Sequence, residues 1–125
     1  MDEAARQANA RRFAAIAESL VGAPGVAIGA GKGFGGGTLQ VDGRIFAMCA
    51  SAGDFVLKLP PDRVVALIAA GEGTPFETAP GRVMKAWICL APATEDRTLA
   101  LAREALAYVA GEATQKRGAT PKGRP

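Results

Sequence analysis

Apolar and polar positions alternate in short runs between residues 34 and 60, in the stretch FGGGTLQVDGRIFAMCASAGDFVLKLP. Three runs rich in Val, Ile, Leu and Phe predict consecutive strands, Thr38 to Val41, Arg44 to Ala50 and Phe55 to Leu59. Asp42 and Gly43 between the first two runs predict a tight hairpin, because both tolerate the positive φ of a type I′ turn. The pattern therefore predicts an antiparallel meander.

Three other stretches carry the spacing of amphipathic helices. The first runs from Asp2 to Val21, the second begins at Pro60-Pro61-Asp62, and the third follows Thr94, a good N-cap, and begins to end at Gly111. The residues predicted to be buried are Phe13, Ile16, Ala17 and Leu20 in the first helix, Val64, Leu67 and Ile68 in the second, and Leu99, Ala102, Leu106 and Val109 in the third.

The remaining apolar runs predict strands at Gly25 to Ala30 and Gly81 to Leu90. The stretch from Thr74 to Pro80 carries two prolines, so we interpret it as a crossing segment anchored by the ring of Phe76. These elements predict an α+β fold, with an antiparallel meander sheet of about four to five strands and three packed helices. We expect one domain over residues 1–113 and a basic, disordered tail over residues 114–125.

The charge of the chain is concentrated near its end. The net charge is +3, but four of the 15 basic residues are Lys116, Arg117, Lys122 and Arg124, which leaves 11 basic against 12 acidic residues in the body. We therefore expect any nucleic-acid contact to be weak, non-specific and made by the tail. The absence of a signal-peptide pattern or a long apolar run favours a cytoplasmic location, and the high content of Ala, Gly and Arg suits a bacterial chain.

Glycines dominate the segment from Gly29 to Gly37, which invites a test for phosphate-binding motifs. A P-loop fails because Val26 and Gly33 stand where glycine and Ser or Thr are required. Gly31, Gly33 and Gly36 match a dinucleotide fingerprint, but a predicted strand follows them where a helix is required. We expect a mobile connection that binds no nucleotide.

Candidate catalytic groups are few. The chain has no His, which removes the commonest general base, and Asp42 and Asp54 are better explained as turn residues. Cys49 and Cys89 lie in predicted strands without metal-ligand or redox spacing, so we expect reduced, mostly buried thiols. The sequence predicts no catalytic residues, no cofactor and no metal.

A partner-binding face is a hypothesis with more support. If Ile45, Ala47 and Cys49 point toward the helices, then the opposite face of the sheet carries aromatic rings among cations. The candidates are Arg44, Phe46, Met48, Val56, Lys58, Lys85 and Trp87. The alternative is that Phe46, Met48 and Trp87 are packed core and the cations solvate the edges. A protein partner or self-association is favoured over nucleic acid, and no membrane contact is expected.

A series of short motifs, read in order, resembles the TfoX N-terminal domain family, which lies close to the YjbR-like proteins. These motifs are Phe34-Gly35-Gly36, Asp42 to Ala47, Leu57 to Pro60, Pro75-Phe76, Gly81 to Met84, Trp87 and Ala102 to Ala105. The resemblance covers residues 10–112 and implies an α+β domain with no catalytic residues to carry over.

Two-domain members of that family resemble regulators of competence for DNA uptake, in which a helical domain follows the first. We expect a single-domain member here, a non-enzymatic regulatory or interaction module linked to transcriptional or competence regulation through a protein partner. The alternative is a small enzyme or ligand-binding protein that uses a pocket at the sheet face.

Overall fold

Three helices pack against one face of a six-stranded antiparallel sheet. The computed structural model describes residues 3–29, 37–50 and 53–118, with side chains up to Glu112. The elements are α1 (Glu3–Leu20), β1 (Val26–Gly29), β2 (Gly37–Val41), β3 (Arg44–Cys49), β4 (Phe55–Lys58), α2 (Pro61–Ala69), β5 (Gly73–Ala79), β6 (Arg82–Leu90) and α3 (Glu95–Gly118). The α+β class predicted from the sequence is confirmed.

The sheet begins as the predicted meander and then departs from it. The strand order is β1-β2-β3-β4-β6-β5, so β6 pairs with β4, and β5 lies at the edge of the sheet. The hairpin at Asp42 and Gly43 is confirmed, since their φ angles are 52° and 82°. Our interpretation of residues 74–80 as a crossing segment is wrong, because β5 occupies this stretch and raises the strand count to six.

Burial on the helices follows the predicted stripes closely in α1 and less closely in α3. All four predicted residues of α1 are buried. In α3, Leu101 and Ala105 join Ala102 and Val109 in the core, whereas Leu99 and Leu106 are only partly buried. The stripe of α3 is therefore rotated from the predicted one. The backbone N–H of Arg97 donates to Oγ1 of Thr94 at 3.1 Å, which confirms the predicted N-cap.

The third helix also extends further than predicted. It passes Gly111, where we expected its end to begin, and continues to Gly118. Glycine weakens a helix without forbidding it, and an added Cβ at Gly111 would meet no atom within 4 Å. The first five residues of the predicted tail, 114–118, therefore continue the helical backbone, and residues 119–125 lie outside the described part of the chain.

A β-bulge in β3 decides which side chains face the helices. Leu39 of β2 pairs with Ala47, but the next residue, Gln40, pairs with Ile45, so Phe46 has no partner on β2. Phe46 and Ala47 consequently both belong to the core beneath the helices. Ile45 points to the second face of the sheet, which contradicts the strict alternation assumed from the sequence.

Two apolar clusters result, one on each face of the sheet. The larger cluster joins residues of the three helices to strands β2, β3, β4 and β6, and the rings of Phe13 and Phe55 meet edge to face in it, 5.5 Å apart. The smaller cluster, on the second face, is built on Met48, Ala50 and Val56. Ile45, Phe76, Trp87 and Cys89 pack around it and are only partly buried.

Candidate interaction groove

An apolar groove lies between α2 and the β5–β6 end of the sheet. Its volume is about 410 Å³. We call it the α2–β6 groove, and it is lined by Pro61, Val64, Val65, Ile68, Pro75, Val83, Met84, Lys85 and Trp87. Lys85 is the one ionisable side chain in this lining.

Local sequence explains both walls of the groove. On α2, Pro61, Val64, Val65 and Ile68 recur at helical spacing and line the groove. Val64 also belongs to the helix-side core together with Leu67. Pro61 stands in the first turn, where a backbone N–H is not needed for the helix.

The wall on β6 departs from regular pairing. Pro75 pairs with Ile88, but the following residue, Phe76, pairs with Met84. Three consecutive residues of β6 therefore have no pairing partner on β5. Val83, Met84 and Lys85, which stand at and just before this irregularity, all line the groove.

The groove is notable for the exposure of its apolar side chains. Val65 is 67% exposed, Val83 is 45% exposed and Met84 is 37% exposed. They are three of the five large apolar side chains that are exposed in the described part of the chain. Single exposed apolar residues are ordinary on protein surfaces, but a contiguous group on two adjacent elements is typical of an interaction site.

Two bidentate ion pairs fix α2 beside the groove. Arg63 on α2 donates to both carboxylate oxygens of Glu104 on α3, at 2.9 and 3.1 Å. Arg97 at the start of α3 donates to both oxygens of Glu72, just after α2, at 2.7 and 2.8 Å. Hydrogen bonding from Arg97 lowers the pKa of Glu72. These partly exposed pairs set geometry more than they add stability.

A polar cluster borders the groove at Trp87. The ammonium group of Lys58 lies 5.8 Å from the centre of the Trp87 ring and 3.4 Å from Oε1 of Glu112. That oxygen is buried and accepts no hydrogen bond among the described residues, so its contact with Lys58 is ionic. The pKa of the neighbouring Tyr108 is raised, mainly by burial and secondly by the Glu112 carboxylate.

The structure divides the seven residues predicted for a partner-binding face. Lys85 and Trp87 line the α2–β6 groove, and Lys58 borders it through Trp87. Met48 is buried in the second-face cluster with Val56, and Arg44 lies half-buried beside the β2–β3 turn. Phe46 is completely buried beneath the helices because of the bulge, which contradicts its place on the partner-binding face and agrees with the alternative that it is packed core.

Two other cavities lie near the loop between β6 and α3. The larger, about 500 Å³, is lined by Arg12 and otherwise by uncharged residues of α1, the end of β6 and the loop. Arg12 donates to the carbonyl oxygen of Ala91 and to Oδ1 of Asn9, and its guanidinium lies 5.3 Å from the centre of the Phe55 ring. Burial lowers its pKa. The smaller cavity, about 80 Å³, contains Glu72, whose carboxylate binds Arg97.

The two cysteines lie on opposite faces of the sheet. Cys49 is buried in the helix-side core and Cys89 packs on the second face, and both are free thiols. Burial and then the charge of Asp54 raise the pKa of both thiols, that of Cys89 to about 11. A raised pKa disfavours the reactive thiolate at neutral pH.

Over residues 3–29, 37–50 and 53–118, no group of three His, Cys, Asp or Glu side chains could hold a metal ion. The same residues include no helix that is both long and apolar enough to cross a membrane. Residues 30–36, the centre of the glycine-rich segment that we expect to bind no nucleotide, lie outside the described part of the chain.

Comparison of this chain with known protein families, sequences and structures identifies no relative. A scan against protein-family models found no match, and searches of curated proteins and of solved structures found none.

Proposed function

We propose that this chain is a non-enzymatic interaction module that binds a protein partner through the α2–β6 groove. The observation that carries the proposal is the exposure of Val65, Val83 and Met84 side by side on α2 and β6. Removing apolar surface from water contributes about 25 cal/mol per Å², so a partner that covers these side chains is bound more tightly.

The chemistry of the described cavities supports a binding role over a catalytic one. Each of the three described cavities is lined by one ionisable residue. These residues are Lys85 in the α2–β6 groove, Arg12 in the cavity of about 500 Å³ and Glu72 in the cavity of about 80 Å³. Catalytic sites are typically recognised by a nucleophile or base within hydrogen-bond reach of a second group that activates or orients it. A regulatory role, through a protein partner that acts in transcription or competence, agrees with the resemblance to the TfoX N-terminal domain.

A site-specific photo-crosslinker tests this proposal. A diazirine-bearing residue replaces Val83 in the groove or, as the matched control, Ile28, which is 57% exposed on β1 at the other edge of the sheet. After irradiation of the cells that produce the chain, denaturing gels and mass spectrometry identify the adducts. We expect a discrete protein adduct from position 83 and none from position 28. Equal labelling at both positions, or none at either, would contradict the proposal.

A small-molecule site is the second candidate, and the volume of the groove favours it. Pockets for small ligands range over about 300–1,000 Å³ and are mostly apolar with few polar groups, as here. Lys85 suits an apolar molecule that carries a carboxylate. Native mass spectrometry of the purified chain separates the two candidates. A retained ligand would appear as a defined small added mass, and Lys85→Ala would lower the fraction of protein that carries it.

A further inference from the structure

The charged residues beside the groove have both signs. Glu77 pairs with Val83 across β5 and β6, and residues directly opposite each other in a sheet project from the same face. Glu77 therefore lies on the face of Val83, one strand away from Lys85. Both charged side chains are exposed, and within the described ranges neither takes part in an ion pair.

Such an arrangement is complementary to itself. In a dimer with two-fold symmetry, residue i of one subunit meets residue j of the other, and j meets i. A two-fold axis that passes beside the exposed side chain of Val83, across the strands, would bring Glu77 of each copy toward Lys85 of the other. The same contact would bury the apolar centre of the groove. A partner of one charge sign would satisfy Lys85 or Glu77 but not both.

From this complementarity we infer that the occupant of the α2–β6 groove is a second copy of this chain, in a two-fold dimer. The inference rests on the proposed function, since it names the partner of the same groove. Val65, Val83 and Met84 form the apolar centre of the interface. The two Glu77–Lys85 contacts lie at its rim, where charges determine orientation and specificity more than affinity.

Sedimentation equilibrium over a concentration series tests the dimer, with circular dichroism to establish that each variant is folded. We expect wild-type protein to dimerise and Val83→Glu to be monomeric. The matched control, Ile28→Glu, introduces the same charge at an exposed strand position on the opposite edge and should dimerise like wild type. A monomeric wild type at all concentrations, or equal dissociation by both variants, would overturn the inference.

Charge reversal tests the orientation of the two copies. Glu77→Lys or Lys85→Glu alone should weaken the dimer about tenfold, since two attractive contacts become repulsive. The double variant restores both contacts with their signs exchanged and should return to within about threefold of wild type. A double variant as weak as the sum of the single variants would refute the pairing.

The crosslinking experiment separates failure of this inference from failure of the proposed function. A monomeric chain whose position 83 crosslinks to a different protein would refute self-association and keep the interaction module. A monomeric chain with no adduct at position 83 would refute both.

Discussion

Replacing Phe46 by Ala tests the bulge that assigns side chains of β3 to the two faces of the sheet. Phe46 is 0% exposed and belongs to the helix-side core, whereas its neighbour Ile45 is half-buried on the second face. Regular alternation without a bulge would place Ile45 in that core with Ala47 and Cys49. The two substitutions, Phe46→Ala and Ile45→Ala, are therefore a matched pair with opposite expectations under the two arrangements.

The magnitude follows from burial. A buried aromatic side chain removes about 200 Å² from water, which at 25 cal/mol per Å² is about 5 kcal/mol. Phe→Ala substitutions in cores cost about 3–5 kcal/mol, since part of the cavity collapses. We expect Phe46→Ala to lower the free energy of unfolding by about 3–5 kcal/mol, and Ile45→Ala by about 1–2 kcal/mol because that side chain is only partly buried.

Urea unfolding measures both losses. Far-UV circular dichroism reports the helices, and the fluorescence of Trp87, the single tryptophan, reports the sheet. Coincident transitions would justify a two-state analysis. At a slope of about 2 kcal/mol per molar urea, Phe46→Ala should lower the midpoint by about 2 M. If Ile45→Ala costs more than Phe46→Ala, the bulge and the assignment of faces are wrong.

Three further predictions concern stability and thiol chemistry. Both thiols should react slowly with a disulfide reagent at pH 8 and rapidly in urea, because Cys49 and Cys89 have raised pKa values; a fast native thiol would contradict this. The pKa of Glu72 is lowered, so its ion pair stabilises the fold above the unfolded pKa of 4.5, and this stabilisation is lost as the pH falls through the folded pKa. The difference in stability between wild type and Glu72→Gln should therefore shrink toward zero on acidification. A difference that does not change with pH would refute the assigned ion pair. Gly73→Ala should lower the free energy of unfolding by about 2 kcal/mol, because the added Cβ would lie 2.5 Å from a carbonyl oxygen. Gly111→Ala should raise the free energy of unfolding by about 0.5–1 kcal/mol, because alanine is favoured over glycine inside a helix and the added Cβ meets no atom within 4 Å. Equal effects of the two substitutions in urea titrations would contradict the packing at Gly73.

Local chemistry made part of the fold predictable. The hairpin at Asp42 and Gly43 and the N-cap at Thr94 each depend on residues within four positions of one another, and both are present. The buried stripe of α1 likewise follows from spacing alone, because one face of that helix meets one core.

The bulge at Phe46 and the strand β5 depend on pairing between distant segments, which spacing does not reveal. Strict alternation is the default for a strand, and only the register against β2 shows the extra residue. Pro75 indicated a break in structure, but an edge strand has one unpaired side and so tolerates proline. The position of β5 at the edge follows from the pairing of β6 with β4.

The groove was predicted only in part for the same reason. Lys85 and Trp87 are recognisable from their chemistry, but the opposite wall of the groove comes from α2, whose sequence pattern indicates only a buried stripe. Val65, exposed on an otherwise amphipathic helix, and the adjacent apolar pair Val83–Met84 were the available signals. Their proximity depends on the tertiary fold.

Methyl NMR on dilution is the most direct test of the central claim that the groove receives a second copy. The methyl groups of Val65, Val83 and Met84 serve as reporters, and that of Ile28, on the opposite edge of the sheet, serves as the control. We expect the three groove resonances to shift together with a single dissociation constant, equal to the one from sedimentation, while the Ile28 resonance stays unchanged. Groove resonances that do not move with concentration, or a shift centred on Ile28, would contradict it.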